Sequence, residues 1–466
     1  MPVMMAAPPP GRPHPRGQNQ EERHMSRLVR RILPVVLLVP FVVTAPADAT
    51  PGAPKFSTTT VATSVAARSD RRPVAGGLYD AKVRKTFISW AGKYEDNFVQ
   101  AYDHRSSAWS TPVRVADGDS DSHNYPTMIQ APDGHLLVFR GMHNIELRMS
   151  RSPQAHSAEG TWTETLVSKN AATYPMPFVT RDGTIYVFYR ETSRDLDPTK
   201  PTDTRPMLYM VSKDSGKTWK SSKDITGDEF AIGSTSRADN MNEIYIGQLR
   251  QERNGRVRIV YTLAGGGTEG HLHDRYHRNI YYAWFDPRNL HFYSVTGRDL
   301  GTQIDDADQE KYLKVAETPL TLPNAVKSPD YIQLVGTTLG QKPFLLWFTG
   351  DPDKGPLHNY MSTWNGRRWE TTEVARGLRT RDMEQLDPLT WRVYATEDGK
   401  PNVNTYIVRC GKWTPETVIP TAKPVQRVEI LENFRDPVRA LFSGASSDRD
   451  VSIADGDITV AGFARR

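Results

Sequence analysis

The sequence predicts an all-β protein built from repeated hairpins, and three observations carry that reading. After about residue 75 no stretch shows the apolar period of a long amphipathic helix. Short β-branched and aromatic runs instead recur around Asp-Gly and Asn-Gly pairs, as in residues 127–140, 178–190 and 254–261. A tryptophan closes many of these units, at Trp109, Trp162, Trp219, Trp369 and Trp413. Hairpin units that cannot bury their own faces must stack, and radial stacking makes a β-propeller. The chain after the lead-in suffices for seven four-stranded blades. Six or eight blades, a two-sheet sandwich or two smaller β domains are the alternatives.

Taken from the start, residues 1–24 are Pro-rich and polar, and Arg30 and Arg31 precede an apolar run from Ile32 to Val43. That run contains Pro34 and Pro40 and falls short of the roughly 20 apolar residues needed to span a bilayer. With Ala47-Asp48-Ala49 behind it, the pattern reads as a signal peptide over 1–49, cleaved after Ala49, with a possible upstream extension if Met25 is the true start. An uncleaved anchor is the alternative, and the two arginines hint at twin-arginine export. Residues 50–74, rich in Thr, Ser, Ala and Pro, read as a disordered lead-in, and 75–466 as one propeller domain. The expected location is therefore extracellular.

Composition narrows the function classes. Of 466 residues, 38% are apolar and 24% charged, with one cysteine, which excludes collagen, coiled coils, disulfide scaffolds and multi-span membrane proteins. Most of the formal charge of +5 sits in the first 49 residues, where six arginines face Glu21, Glu22 and Asp48. The nearly neutral remainder lacks the dense basic face of a nucleic-acid binder. A lone Cys410 forms no internal disulfide, and its strand-like surroundings suggest a buried thiol. The chain is expected to act as a monomer that engages neither nucleic acid nor membrane.

The hairpin turns follow from Asp133-Gly134, Asp182-Gly183, Asn254-Gly255 and Asp398-Gly399, which tolerate the positive φ of two-residue turns. Ser212-Lys-Asp214-Ser-Gly216-Lys-Thr218-Trp219 matches the Asp-box of sialidase-type propellers, whose Asp closes a turn while the Trp packs between blades. Gly160-Thr-Trp162 and Asn365-Gly-Arg-Arg-Trp369 are degenerate versions of it.

Polar residues at the open ends of these hairpins make the candidate site. His123 and His143 lie equally far either side of Asp133, and Tyr174 and Arg190 equally far either side of Asp182. Equivalent ends of adjacent blades share one rim, so two imidazoles, a phenol and a guanidinium should converge there unless a bulge shifts the register. Tyr245 reaches the same rim from a third hairpin, its parity less secure. No spaced carboxylate pair, nucleophile elbow or phosphate loop is present, and Gly265-Gly-Gly267 reads as a turn. His, Tyr and Arg together suit β-elimination from a uronate. Arg190 grips and neutralises the carboxylate, while a base removes the C5 proton and an acid protonates the leaving O4. His143, His123 and Tyr174 can divide the last two tasks, in an order the residues leave open.

At these positions the chain resembles the BNR-type seven-bladed propeller polysaccharide lyases, which include ulvan lyases and lyases of L-rhamnosyl-(1→4)-D-glucuronate. The resemblance runs through Asp121-Ser-His123-Asn124-Tyr-Pro126, residues 133–144, Thr173-Tyr174-Pro175 to Arg190, and His277-Arg-Asn-Ile-Tyr281-Tyr282-Ala283. It implies His123, His143, Tyr174 and Arg190 as catalytic residues, and Asn124, Asn144 and Tyr245 as substrate-binding ones. It implies cleavage of rhamnosyl-(1→4)-uronate linkages in ulvan or in rhamnose-glucuronate side chains.

Each of these residues also has a plainer role open to it: rim histidines bonded to turns, Tyr174 packing a blade, Arg190 pairing with Glu191 or Asp195. His271, His273 and His277 have metal-ligand types at close spacing, and an unmetallated histidine cluster explains them equally well. The chemistry itself requires no cofactor; a structural zinc or calcium ion is the option that the resemblance adds. A glycoside hydrolase of rhamnosidase type and a non-catalytic carbohydrate-binding propeller are the alternative functions.

Overall fold

The computed structural model describes residues 55–62, 76–92, 96–118, 125–140, 143–192, 204–234, 237–266, 276–318, 334–350, 355–444 and 456–464. The expected signal peptide, most of the lead-in, His123, Asn124, His271 and His273 lie outside them.

The described chain is all-β. Its helical pieces are short, Ser222–Thr226, Asp306–Asp308, Gln309–Leu313 and Leu339–Gln341. The strands join into sheets of nine, seven, six, four and four members, almost entirely by antiparallel pairing of sequence neighbours. Two features extend sheets beyond single hairpins. Thr163–Val179 pairs along its first part with His143–Arg151 and along its second with Ile185–Glu191, so one long strand serves both neighbours. Phe56–Ala62 pairs with Ile458–Phe463, which brings the two ends of the described chain into one sheet.

Alternation gives the inner strands two buried faces, as in Ile185–Glu191, where Val187 and Tyr189 join one apolar cluster and Tyr186 and Phe188 the next. Leu137, Phe139 and Met149 pack with Val187, Tyr189, Leu208 and Met210 in one such layer. Trp219 fits against that layer, its ring edge-on to Phe139 at 5.8 Å. The turn that delivers Trp219 is held by Asp214. Its Oδ1 accepts from the backbone of Lys217 at 3.1 Å and Thr218 at 2.9 Å, and its Oδ2 from the Thr218 hydroxyl at 2.6 Å. These bonds, the Thr218 hydroxyl foremost, hold its pKa down at about 2.

The hairpin turns differ from expectation in one respect. Gly134, Gly183 and Gly255 have φ of 87, 85 and 88°, but each closes a three-residue loop rather than a two-residue turn. In each the glycine N–H donates back three residues, and Asp133, Asp182 or Asn254 accepts the backbone N–H two residues on. The Asp or Asn is thus the loop's midpoint, so counting outward from it gives the observed pairs Pro126↔Arg140 and Met176↔Phe188. Cys410 is also corrected. It is exposed, with φ 49°, in the turn before Gly411 between Asn402–Arg409 and Lys412–Pro420, because the tight turn falls on the Cys-Gly pair itself.

Candidate functional site

Four of the sequence-predicted residues gather where strand ends from separate hairpins meet. Thr173 pairs with Arg190 on one side and with His143 on the other, so His143, Thr173 and Arg190 stand abreast across three strands. His143 does not continue the Leu136–Arg140 strand as the hairpin arithmetic assumed. It opens His143–Arg151, because the paired run ends at Arg140. His123, its expected cross-strand neighbour, lies outside the described residues.

Tyr174 departs from its expected place by one position. The register slips between Thr173 and Met176, and Tyr174 itself has φ 61°, in the left-handed region that a side chain rarely adopts. The bulge moves Arg190 opposite Thr173 and leaves Tyr174 free to turn onto the guanidinium. Asn144 shares this unusual conformation with φ 59°. Its Oδ1 accepts the Thr192 hydroxyl at 2.6 Å and lies 3.4 Å from Thr173 Oγ1, which makes it a brace between strands. Strain of this kind, worth about 1–3 kcal/mol per residue, persists where the surroundings enforce it and gathers at functional sites.

The centre of the cluster is Arg190, whose side chain is 1% exposed. Its guanidinium carbon lies 4.8 Å from the ring centroid of Tyr174 and 4.5 Å from that of Tyr245. The two rings are 5.9 Å apart. Tyr245, on Glu243–Gln251, is therefore brought to the same place as Tyr174, and His277 packs edge-on against it at 4.8 Å. Nε and Nη1 of Arg190 make no hydrogen bond among the described residues. Burial opposes the charge on Arg190, but Tyr245, Tyr174 and Glu243 outweigh it and hold the pKa above the ordinary guanidinium value. The expected clamp on the rim is thus a covered cation faced by two phenols.

Two residues of this cluster escaped the sequence reading. Glu243, 0% exposed, places Oε2 3.9 Å from Arg190 Nη1 and 3.8 Å from Arg205 Nε. Arg205 reaches it from a short parallel bridge, with Ile244 N donating to Arg205 O at 3.0 Å. The one available signal was an acidic residue opening the apolar strand Glu243-Ile-Tyr-Ile, which looks like an ordinary strand-end charge. His277, expected among metal ligands, packs against Tyr245, while His271 and His273 lie outside the described residues. Among the described residues no three His, Cys, Asp or Glu side chains gather as a metal site would require.

Residues 85–377 match the sequence pattern of a BNR repeat-containing family. The chain is 21% identical over 341 residues to an ulvan lyase of Pseudoalteromonas sp. (strain PLSV), covering 64% of each protein. It is 23% identical over 365 residues to an ulvan lyase of Alteromonas sp. (strain LOR), covering 70% of each. The match therefore spans a little under two thirds of the Pseudoalteromonas protein's length. A solved PL25 ulvan lyase bound to -[GlcA(1-4)Rha3S]- superposes with a TM-score of 0.67 at 16% identity, over 87% of this chain and 96% of that one. A second PL25 ulvan lyase structure gives 0.68 at the same identity and coverage. At such identities the structures attest the fold, and the site stands on its own geometry.

Proposed function

The chain belongs to the BNR repeat-containing family, and on that premise we propose that it is a polysaccharide lyase cleaving rhamnosyl-(1→4)-uronate linkages, as in ulvan, by β-elimination. The observation that carries this reading is Arg190, a buried cation between two phenol rings with two donor nitrogens, Nε and Nη1, unanswered among the described residues. Elimination from a uronate builds negative charge on the carboxylate as the C5 proton leaves. A fixed positive charge in a water-poor pocket stabilises that charge more than water could. Because the rings cover Arg190, its charge acts on the acid across Tyr174 and Tyr245. The base takes the C5 proton, the C5–H electron pair forms the C4–C5 double bond, and the C4–O4 pair leaves on oxygen to be protonated. Tyr174, His143 and His123 are the residues we assign to these two proton transfers, with Asn124, Asn144 and Tyr245 contacting the sugar. The named activity of both curated relatives, ulvan lyase, supports the same substrate.

We also infer seven four-stranded blades. Strand pairing supports this grouping if Thr163–Val179 is shared between two blades and Phe56–Ala62 completes the last one. Among the described residues, seven larger apolar clusters each draw on two consecutive strand groups, as seven blade interfaces would. We propose that the protein is exported, cleaved after Ala49, and acts as a monomer whose chemistry requires no cofactor, with a structural zinc or calcium ion left open.

Incubation of residues 50–466 with ulvan, and separately with gum arabic glycans, tests the activity. A lyase gives rising absorbance in the ultraviolet band of the conjugated C4–C5 unsaturated uronate. New reducing ends without that band would mean a hydrolase, and binding without either would mean a recognition module.

A further inference from the structure

His143 and Arg190 stand on strands that are not neighbours, and both ladders of the strand between them break beside these residues. The pairing of Thr163–Val179 with His143–Arg151 skips Asn144 between Ala172 and Thr173, and its pairing with Ile185–Glu191 slips between Thr173 and Met176. A residue inserted by a bulge stands outside the hydrogen-bonded ladder, so side chains must supply part of what places it. Thr192 supplies such a link. It lies just beyond Arg190 and Glu191, its backbone N–H donates to Ala171 O at 2.8 Å, and it is 8% exposed. Its hydroxyl donates to Asn144 Oδ1 at 2.6 Å, across the strand between. The Thr173 hydroxyl lies 3.4 Å from the same oxygen and accepts the Asn144 N–H at 3.2 Å. Asn144 and His143 have other contacts too, and this one comes from the segment that carries Arg190. We propose that Thr192 is a positioning residue whose hydroxyl, acting through Asn144, fixes the spacing of His143 from Arg190.

The proposal rests on the lyase reading and deepens it, because proton transfer and charge stabilisation must act on one sugar at the same moment. Groups that are intact but misplaced by about 1 Å lose catalysis on the order of a hundredfold. Valine keeps the branched shape of threonine and removes the donor, so the tie between the strands goes while the packing stays. Serine keeps the donor. The hydroxyl's contribution should therefore show in turnover and return with serine, a pattern that a role in packing alone does not produce.

The test compares Thr192→Val, Thr192→Ser, Asn144→Ala and the double variant Thr192→Val/Asn144→Ala with the wild type on ulvan oligosaccharides, reading kcat and KM by ultraviolet absorbance and folding by thermal melting. Expected are a fall of about tenfold or more in kcat for Thr192→Val, larger than any rise in KM, and recovery of most of that loss in Thr192→Ser. In the double variant Thr192→Val adds little to the loss caused by Asn144→Ala, since the hydroxyl then has no amide to reach. Wild-type kcat in Thr192→Val overturns the proposal, as does a Thr192→Ser variant no better than Thr192→Val, or losses that add in full. If Thr192→Val does not fold, Thr192→Ala takes its place; if neither folds, the hydroxyl serves the fold and the proposal is withdrawn. A wild type that releases no unsaturated uronate sinks the lyase reading, not this one. Crystal structures of the wild type and Thr192→Val then decide, with a change of about 1 Å in the separation of His143 from Arg190 expected and an unchanged separation contrary to it.

Discussion

Arg190 and Tyr245 meet face to cation at 4.5 Å, and they come from strands whose hairpins are centred on Asp182 and Asn254. Neither hairpin alone contains this contact. It exists because separate strand groups pack so that their ends coincide, and two phenol rings lie over the buried arginine.

Arg190→Met should lower kcat by about two to three orders of magnitude, the usual consequence of removing a preorganised charge from a developing anion. Arg190→Lys should not restore it, since a compact ammonium cannot lie flat between both rings. Ultraviolet turnover of ulvan, with near-ultraviolet circular dichroism to establish native packing, checks both. Wild-type turnover in the lysine variant would remove the planar guanidinium from the mechanism.

Tyr174→Phe keeps the ring over Arg190 and removes only the hydroxyl. If that hydroxyl moves a proton, kcat falls by about 10²–10⁴ while the melting temperature drops by no more than a few degrees. Turnover within twofold of the wild type would pass the proton transfers to His143 and His123.

Asp214 provides a pH signature for the fold. Its folded pKa, held at about 2 by the Thr218 hydroxyl and neighbouring N–H groups, lies below the ordinary value of 3.8. A depressed acid contributes stability above its unfolded pKa and loses it as pH falls through the folded one. Asp214→Asn should thus melt lower than the wild type at pH 7, and the gap should close as the pH drops from about 4 to 2. Melting curves across that range decide it, and a gap independent of pH would refute the assignment.

Cys410 should react quickly with a maleimide in the native protein, because it is exposed in a turn. Mass spectrometry of the labelled, still-folded protein reads this out. Labelling only in denaturant would contradict the turn placement.

The hairpins were legible because a glycine with positive φ after Asp or Asn leaves an unmistakable local mark, at Gly134, Gly183 and Gly255. The same mark does not reveal loop length, which is decided by where the flanking hydrogen bonds close. Residues Tyr174, Arg190 and Tyr245 were legible as a set because strand arithmetic carries a residue to the correct end of a hairpin. It cannot anticipate the bulge at Tyr174, which is settled by packing onto Arg190 and not by any turn signal. Glu243 and Arg205 were illegible for a related reason. Their meeting depends on a parallel bridge between segments almost forty residues apart, and no period or motif marks such a bridge. Cys410 was misread because its aliphatic neighbours belong to the strand that ends just before it.

The pairing of Phe56–Ala62 with Ile458–Phe463 has a consequence for biosynthesis. The Ser57 hydroxyl donates to the Gly462 carbonyl across 405 residues of intervening chain, at 3.3 Å. A nascent polypeptide emerging from the ribosome holds its early strand without this partner until Ile458–Phe463 has been made. Contacts this remote in sequence form slowly, since the entropy of closing the loop is lost before they return anything. Chaperones thus meet an edge strand that only the synthesis of Ile458–Phe463 can cover, and a premature stop codon just upstream of Ile458 would leave that edge permanently open to aggregation.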